Sequence, residues 1–187
     1  LRGIFNVGNE VWVWTVNSGL KHLENYQWRD IPGSEPYKED RLIAILPYSG
    51  YHLLIFRNTG FVKYDGETFT SIPTEADFYF GEHLLYRAKS INENEIALAF
   101  SNGGILIVNK NGSLQHILTE ENGFPTNTIH EIYTDNEGTL WVASVDGIIK
   151  ILINNPVSII KDQNEFNSLV IFIESVDDTL FFGTKSG

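Results

Sequence analysis

The sequence predicts an all-β protein, and three features support this prediction. Short apolar runs alternate with polar turns that end in glycine along the whole chain. No amphipathic run reaches about eleven residues, so helices are not expected to cover the core. The clearest runs are apolar on both faces, whereas a half-exposed strand alternates apolar with polar residues. We therefore expect sheets that are covered on both sides by other sheets.

The turns mark a repeat. Each copy has an apolar run, a turn ending in glycine and a second apolar run, as in LWVAS, VDG and IIKI at 140–151. Glycine suits such a turn because it adopts positive φ without a Cβ clash. The anchoring glycines follow one another at spacings of 41, 44, 43 and 40 residues: Gly19, Gly60, Gly104, Gly147 and Gly187. A period in the low forties matches the four short strands of a β-propeller blade.

The repeat predicts a β-propeller fragment with four complete four-stranded blades plus the first two strands of a fifth. In the clearest copy we expect a hairpin turn at 135–138 and strands at 128–133, 140–144, 148–153 and 157–160. A single partial propeller over 1–187 would have blades at approximately 1–40, 41–82, 83–125 and 126–166, with a half-blade at 167–187. Such a fragment does not close a ring by itself. We expect a longer parent protein or a partner chain to cover its open ends.

Composition excludes several classes of function and partner. The chain of 187 residues has 42% hydrophobic residues, enough for a packed core, and a net charge of −11 from 13 basic and 24 acidic residues. Nucleic acid and anionic membrane surfaces are therefore poor partners. With no Cys, disulfides and thiolate chemistry are excluded. No run approaches the roughly 18 to 20 apolar residues that cross a bilayer, and the N-terminus lacks a secretory signal.

Residues 123–148 resemble the two-component regulator propeller repeat. They read GFPTNTIHEIYTDNEGTLWVASVDGI, against a family pattern of GLP.N.I, then I..D..G.LW.GT, then GL. Phe124 replaces Leu, and Ala143 with Ser144 replaces Gly-Thr. The resemblance implies the extracytoplasmic, periplasmic sensor region of a membrane-bound protein, often a hybrid histidine kinase. It also implies a non-enzymatic module for ligand recognition.

The sequence offers no set of catalytic or metal-binding residues, and no cofactor motif. His130 and Glu131 begin like a zinc-protease motif, but position 134 is Thr and the segment is an expected strand. Asp135 and the residues after it resemble part of a calcium loop, but a hairpin role suffices. Acidic pairs at 39–40, 120–121 and 177–178 lie in expected turns, where carboxylates are usually solvated. A propeller lyase or glycosidase is therefore the least favoured function.

Tryptophan could stack on sugar rings, but the repeat favours core packing instead. Trp12 and Trp141 are expected to share a strand position with the apolar residues Leu54, Leu98 and Phe181. The weak candidates for stacking lie in less regular segments, where a side chain is freer to face solvent: Tyr37, Tyr48, Tyr51, Tyr79 and Trp28.

Loops at one end of the blades are the expected ligand site, because recognition residues usually lie on loops held by a rigid scaffold. The ligand would be a small molecule or glycan, or the partner another copy of the chain. A general protein-interaction scaffold remains an alternative. The same residue types also form turns for purely structural reasons. The candidate residues are Asn17, Arg57, Asn58, Asn102, Thr126, Asn127, Asp146 and Lys185.

Overall fold

The structure is a computed structural model that describes residues 2–16, 18–153, 170–176 and 179–184. It contains two compact units, Leu1–Asn155 and Pro156–Gly187. In the first unit, all of the described sheets are antiparallel meanders, in which each strand pairs with the next one along the chain. This order follows from the short turns, which leave consecutive strands no other neighbour within reach.

The first sheet comprises β1 Gly3–Val7, β2 Glu10–Thr15, β3 Gly19–Glu24 and β4 Gln27–Asp30. The second comprises β5 Leu42–Tyr48, β6 Tyr51–Phe56, β7 Gly60–Tyr64 and β8 Phe69–Ile72. A six-residue helix, α1 Asp77–Glu82, precedes the third sheet. The third comprises β9 Leu85–Ser90, β10 Glu95–Phe100, β11 Ile105–Asn109 and β12 Leu114–Leu118. The fourth has three described strands, β13 Ile129–Thr134, β14 Leu140–Ser144 and β15 Gly147–Ile151.

The second unit contains an antiparallel pair, β16 Val170–Val176 and β17 Thr179–Thr184. These are the two strands expected for the fifth blade. The strand predicted at 157–160 and the anchor Gly187 lie outside the described residues.

The four sheets of the first unit pack face to face around their first strands. β1 lies beside β5, β5 beside β9, and β9 beside β13. A separate apolar core fills each gap between consecutive sheets. The second strands of the second and third sheets, β6 and β10, are buried on both faces, so that Leu53, Leu54, Ala97 and Leu98 have no exposed surface. This radial packing confirms the predicted propeller architecture, because sheets apolar on both faces are covered by other sheets.

The turn glycines behave as predicted. Gly19, Gly60, Gly104 and Gly147 have φ of 72°, 78°, 67° and 121°, a region that residues with a Cβ rarely occupy. The expected hairpin turn at 135–138 lies between β13 and β14.

The register corrects one expectation. Trp12 pairs with His22, which lies three residues after the anchoring Gly19. In the other three sheets, the residues that pair with the position three after the anchoring glycine are Leu53, Ala97 and Trp141. The equivalence of the tryptophans with Leu54 and Leu98 is therefore wrong by one residue. A strand that is apolar on both faces has no alternation from which its register could be read. Core packing is confirmed for Trp12, which is 5% exposed, whereas Trp141 is partly exposed.

The inner strands share a feature that the sequence did not predict. β5, β9 and β13 each carry a register shift near their start, between Leu42 and Ala44, beside Leu85, and between Ile129 and Glu131. Such bulges bend a strand and re-aim its side chains. In this protein they lie where the linker from one sheet enters the next.

Candidate functional site

The candidate site lies at one end of the four sheets of the first unit. In the second sheet, Leu42 at the start of β5 pairs with Phe56 at the end of β6. The linker that enters a sheet and the turn after its second strand therefore lie at the same end. We call this end the upper rim. It includes the turns after β2, β6, β10 and β14 and the linkers into β5, β9 and β13.

Asp40, in the linker into β5, organises the upper rim of the second sheet. Its carboxylate accepts hydrogen bonds from the backbone nitrogens of Arg41, Asn58 and Thr59, at 2.6 to 3.2 Å. The side chains of Asn58 and Thr59 donate to the same carboxylate, at 2.9 and 2.8 Å. Asp40 is only 9% exposed, so the expectation of a solvated carboxylate is wrong for this residue. The positive-φ turn points its N–H groups at one spot, which an anion fills.

Asn127 holds the equivalent place in the linker into β13, two residues before the first paired residue of its strand. Its side-chain oxygen accepts a hydrogen bond from the backbone nitrogen of Glu120, and its own backbone nitrogen donates to the Glu120 carboxylate. Its carbonyl oxygen accepts from Gly104 in the turn after β10. The residues of the family-like motif thus stabilise the linker and the hairpin.

The other predicted residues divide into buried, exposed and undescribed positions. Thr126 is 3% exposed, and its hydroxyl accepts a hydrogen bond from the backbone nitrogen of Thr128. Asn102 and Asp146 are exposed in turns. Asn17 and Lys185 lie outside the described residues.

Arg57 is the predicted residue whose surroundings are most distinctive. It is half-buried after β6, and its Nε donates to the carbonyl oxygen of Leu85 in the third sheet, at 3.0 Å. Its backbone nitrogen donates to the carbonyl oxygen of Arg41, at 2.9 Å. Burial lowers the pKa of Arg57, the charge of Arg41 lowers it further, and Asp40 and Tyr86 oppose both effects. Arg57 therefore links two sheets, and its backbone pairs with a second arginine, Arg41.

A third arginine lies two residues beyond Leu85. Arg87 Nε is 2.7 Å from a carboxylate oxygen of Glu131, and the guanidinium carbon is 4.0 Å from the centre of the Tyr86 ring. Burial alone would lower the pKa of Arg87, but the hydrogen bond and charge of Glu131 outweigh it and raise the pKa. Arg87 and Glu131 are 44 residues apart. The repeat period alone could have placed these two residues side by side on neighbouring inner strands.

Asp135, which resembles part of a calcium loop in the sequence, has a structural role in the hairpin. Asp135 accepts hydrogen bonds from the backbone of Glu137 and Thr139 and from Trp141 Nε1. These bonds, first that from Trp141, lower the pKa of Asp135. In the part of the chain that the structure describes, no group of three or more His, Asp or Glu side chains is placed to hold a metal ion. His130 lies on the strand β13 and is exposed.

Solved structures with a similar fold include extracellular domains of putative hybrid two component systems. It is similar to the extracellular domain of the putative hybrid two component system BT4673 from B. thetaiotaomicron, with a TM-score of 0.57 and 16% identity over 98% of this chain and 28% of that one. The extracellular domain of BT3049 from the same organism gives 0.53 and 16%, over 97% and 25%. The computationally designed protein Ika8 gives 0.58 and 12%, over 98% and 55%. At these identities the similarity shows the fold alone. The chain spans about a quarter of the length of the two sensor domains.

Comparison by sequence identifies the repeat. No curated protein matches the chain. Within the described segments, no helix has the length and hydropathy needed to cross a bilayer. The model of the two component regulator propeller family matches residues 123–146, the segment that covers the linker into β13 and its hairpin. The chain thus folds as a β-propeller, and residues 123–146 match the two component regulator propeller model.

Proposed function

We propose that this chain is a non-enzymatic ligand-recognition module in the extracytoplasmic part of a two-component sensor protein. The observation that carries the proposal is the family match at residues 123–146, found inside a propeller with the same fold as the extracellular domains of two putative hybrid two component systems. Ligand or partner binding at the upper rim would be passed to a histidine kinase elsewhere in the parent protein.

The geometry of the upper rim supports recognition more than catalysis. Some of its polar side chains are bound to the backbone, as Asp40 is to Thr59 and Asn127 to Glu120. Groups held in this way fix the loops that carry them. A rigid scaffold with exposed loop residues favours binding, because little conformational entropy is lost when the ligand arrives.

The reading frame of the parent gene tests this function. We expect it to encode a membrane-spanning segment and a signalling domain together with this propeller. A complete reading frame with neither would overturn the proposal. In cells whose outer membrane is permeabilised and whose inner membrane is intact, an epitope tag on the propeller should be accessible to added protease. A cytoplasmic marker should stay protected. Protection of the tag would contradict the extracytoplasmic location.

A second candidate function is a protein-interaction scaffold, and one exposed face of the first sheet favours it. Ile4, Leu23 and Trp28 lie on the face that carries Val13, and they are 62%, 36% and 48% exposed. The corresponding face of the second sheet is buried against the first sheet. A second copy of the chain is the partner we propose for this face.

Sedimentation velocity of the wild-type chain and of Ile4→Asp separates this candidate from a purely monomeric sensor. We expect a dimer that Ile4→Asp dissociates. Val145→Asp, at a turn residue that is 58% exposed, serves as the control and should leave the dimer intact. A wild-type monomer at high concentration would exclude this contact between copies.

A further inference from the structure

Three arginines lie near one another at the upper rim of an acidic protein. Three of the 13 basic residues, Arg41, Arg57 and Arg87, lie at the start of β5, after β6 and near the start of β9. The chain as a whole has a net charge of −11.

Two of the three guanidinium groups retain unused donors. Arg57 uses Nε for the carbonyl oxygen of Leu85, and its two terminal nitrogens make no hydrogen bond within the described segments. The side chain of Arg41 makes neither a hydrogen bond nor an ion pair with any described residue, and it is exposed. Arg87, in contrast, is paired with Glu131. Arg41 and Arg57 are thus the pair with free hydrogen-bonding capacity.

The nearest carboxylates do not neutralise this pair by direct contact. Asp40 is committed to the turn at Asn58 and Thr59, and Glu131 to Arg87. The backbone nitrogen of Arg57 donates to the carbonyl oxygen of Arg41, so the two residues lie opposite each other. The charge of Arg41 lowers the pKa of the half-buried Arg57, and Asp40 opposes this effect. An oxyanion that contacts both side chains would offset this effect and accept hydrogen bonds from both guanidinium groups, which bind carboxylate, sulfate and phosphate in this way.

Tyr86 adds a further contact surface beside the two arginines. It lies at the bulge of β9, directly after the residue that Arg57 binds, and its ring is covered on one side by Arg87. The ring is only partly buried. An aromatic edge next to guanidinium groups suits a ligand that carries both an anionic group and an apolar or ring surface.

We propose that Arg41 and Arg57, flanked by Tyr86, form a binding site for the oxyanion group of a small carboxylate- or sulfate-bearing ligand. This inference rests on the proposed function, because such a ligand would be the molecule that the sensor recognises. Arg41 and Arg57 bind the oxyanion directly. Arg87 positions the Tyr86 ring and is itself neutralised by Glu131.

The test uses the whole 187-residue chain, labelled with ¹⁵N and titrated with sodium sulfate, sodium citrate or sodium chloride at constant ionic strength. The readout is the Nε–Hε resonance of each arginine. We expect saturable shifts for Arg41 and Arg57 with sulfate or citrate, and none with chloride. Saturation by sulfate alone assigns a sulfated ligand, and saturation by citrate alone a carboxylate.

Two variants make the result specific. Arg41→Gln removes one exposed guanidinium with no packing role and should weaken the apparent affinity by about tenfold. Lys21→Gln removes a cation that is paired with Asp30 on the first sheet and should leave the affinity unchanged. Linear shifts without saturation, equal shifts in chloride, or an unchanged affinity in Arg41→Gln would each overturn the site. Those outcomes would not contradict the proposed sensor function, which the reading frame tests. A reading frame that contradicts the sensor function would likewise not contradict anion binding.

Discussion

The Asp40 carboxylate lies 2.7 Å from the backbone nitrogen of Thr59 and so joins the linker into β5 to the turn after β6. The carbonyl oxygen of the same residue accepts a hydrogen bond from Trp14 Nε1 in the first sheet, at 3.0 Å. One residue thus connects two consecutive sheets through both its side chain and its backbone. A buried carboxylate in such a place contributes to stability only while its donors stay paired.

Replacing Asp40 with Ala should destabilise the protein strongly. The part-buried N–H groups of Asn58 and Thr59 would lose their charged acceptor, and we expect the free energy of unfolding to fall by about 2 to 4 kcal/mol. Urea denaturation followed by tryptophan fluorescence measures this change. Asp146→Ala, in an exposed turn, is the control and should cost less than about 0.5 kcal/mol. Equal effects of the two substitutions would show that Asp40 has no special role.

Substitutions at two glycines with similar backbone conformation should distinguish the cost of backbone strain from the cost of a steric clash. Gly8 and Gly104 have φ of 61° and 67°, but a Cβ would meet nothing within 4 Å at Gly8, whereas at Gly104 it would overlap the carbonyl oxygen of Leu118. Gly8→Ala should therefore cost about 1 to 2 kcal/mol from the backbone alone. Gly104→Ala should cost at least about 2 kcal/mol more, because backbone has to move. Similar unfolding midpoints for the two variants would contradict this reasoning.

Equivalent isoleucines in the first and second sheets should differ in their contribution to stability. Ile4 pairs with Val13, and Ile45 pairs with the equivalent Leu54. Ile45 is 7% exposed and Ile4 is 62% exposed. In a dilute monomer, Ile45→Ala should lower the free energy of unfolding by about 2 to 4 kcal/mol, and Ile4→Ala by less than about 1 kcal/mol. A large effect at Ile4 in the monomer would mean that its face is already covered.

His52 should make stability depend on pH. Burial lowers its pKa from the ordinary value of 6.5, and the charge of Glu10 opposes this only in part. Protons therefore bind the unfolded chain more readily than the folded one. Stability from this group is complete above 6.5 and is lost as pH falls below that value toward the folded pKa. The urea midpoint should decrease between about pH 7.5 and about pH 5.5.

His52→Phe should reduce that decrease, since Phe retains the aromatic packing on Trp12, whose ring centre is 5.0 Å away. His116→Gln, at an exposed position of β12, should keep the pH dependence of the wild type. A pH dependence that survives in His52→Phe would assign the effect to other groups.

Much of the fold was predictable from local sequence. The glycine of each turn, the hairpin signals and the spacing in the low forties are local features, and they predicted strands in the right order. The register of strand pairing was harder to predict, because strands that are apolar on both faces, such as β6 and β10, have no alternation from which pairing could be inferred. The equivalence of the two tryptophans with Leu54 and Leu98 was wrong by one residue for that reason.

The candidate site was only partly predictable. Turn composition placed Arg57 and Asn58 correctly at one end of the blades, but it did not distinguish a free guanidinium from an amide bound to Asp40. It also missed Arg41 and Tyr86, which lie at a linker and at a bulge. A β-bulge has no dependable local signature, so its effect on side-chain direction could not be foreseen.

The sequence by itself determined the repeat, the strand order and the turn glycines of this protein, because each depends on residues that are near one another in the chain. Only the tertiary structure decided that Asp40 is buried, that Arg87 meets Glu131, and that Arg41 and Arg57 share one end of the sheets. Most of these contacts join residues about 15 to 45 positions apart, and they depend on how sheets pack and where inner strands bulge.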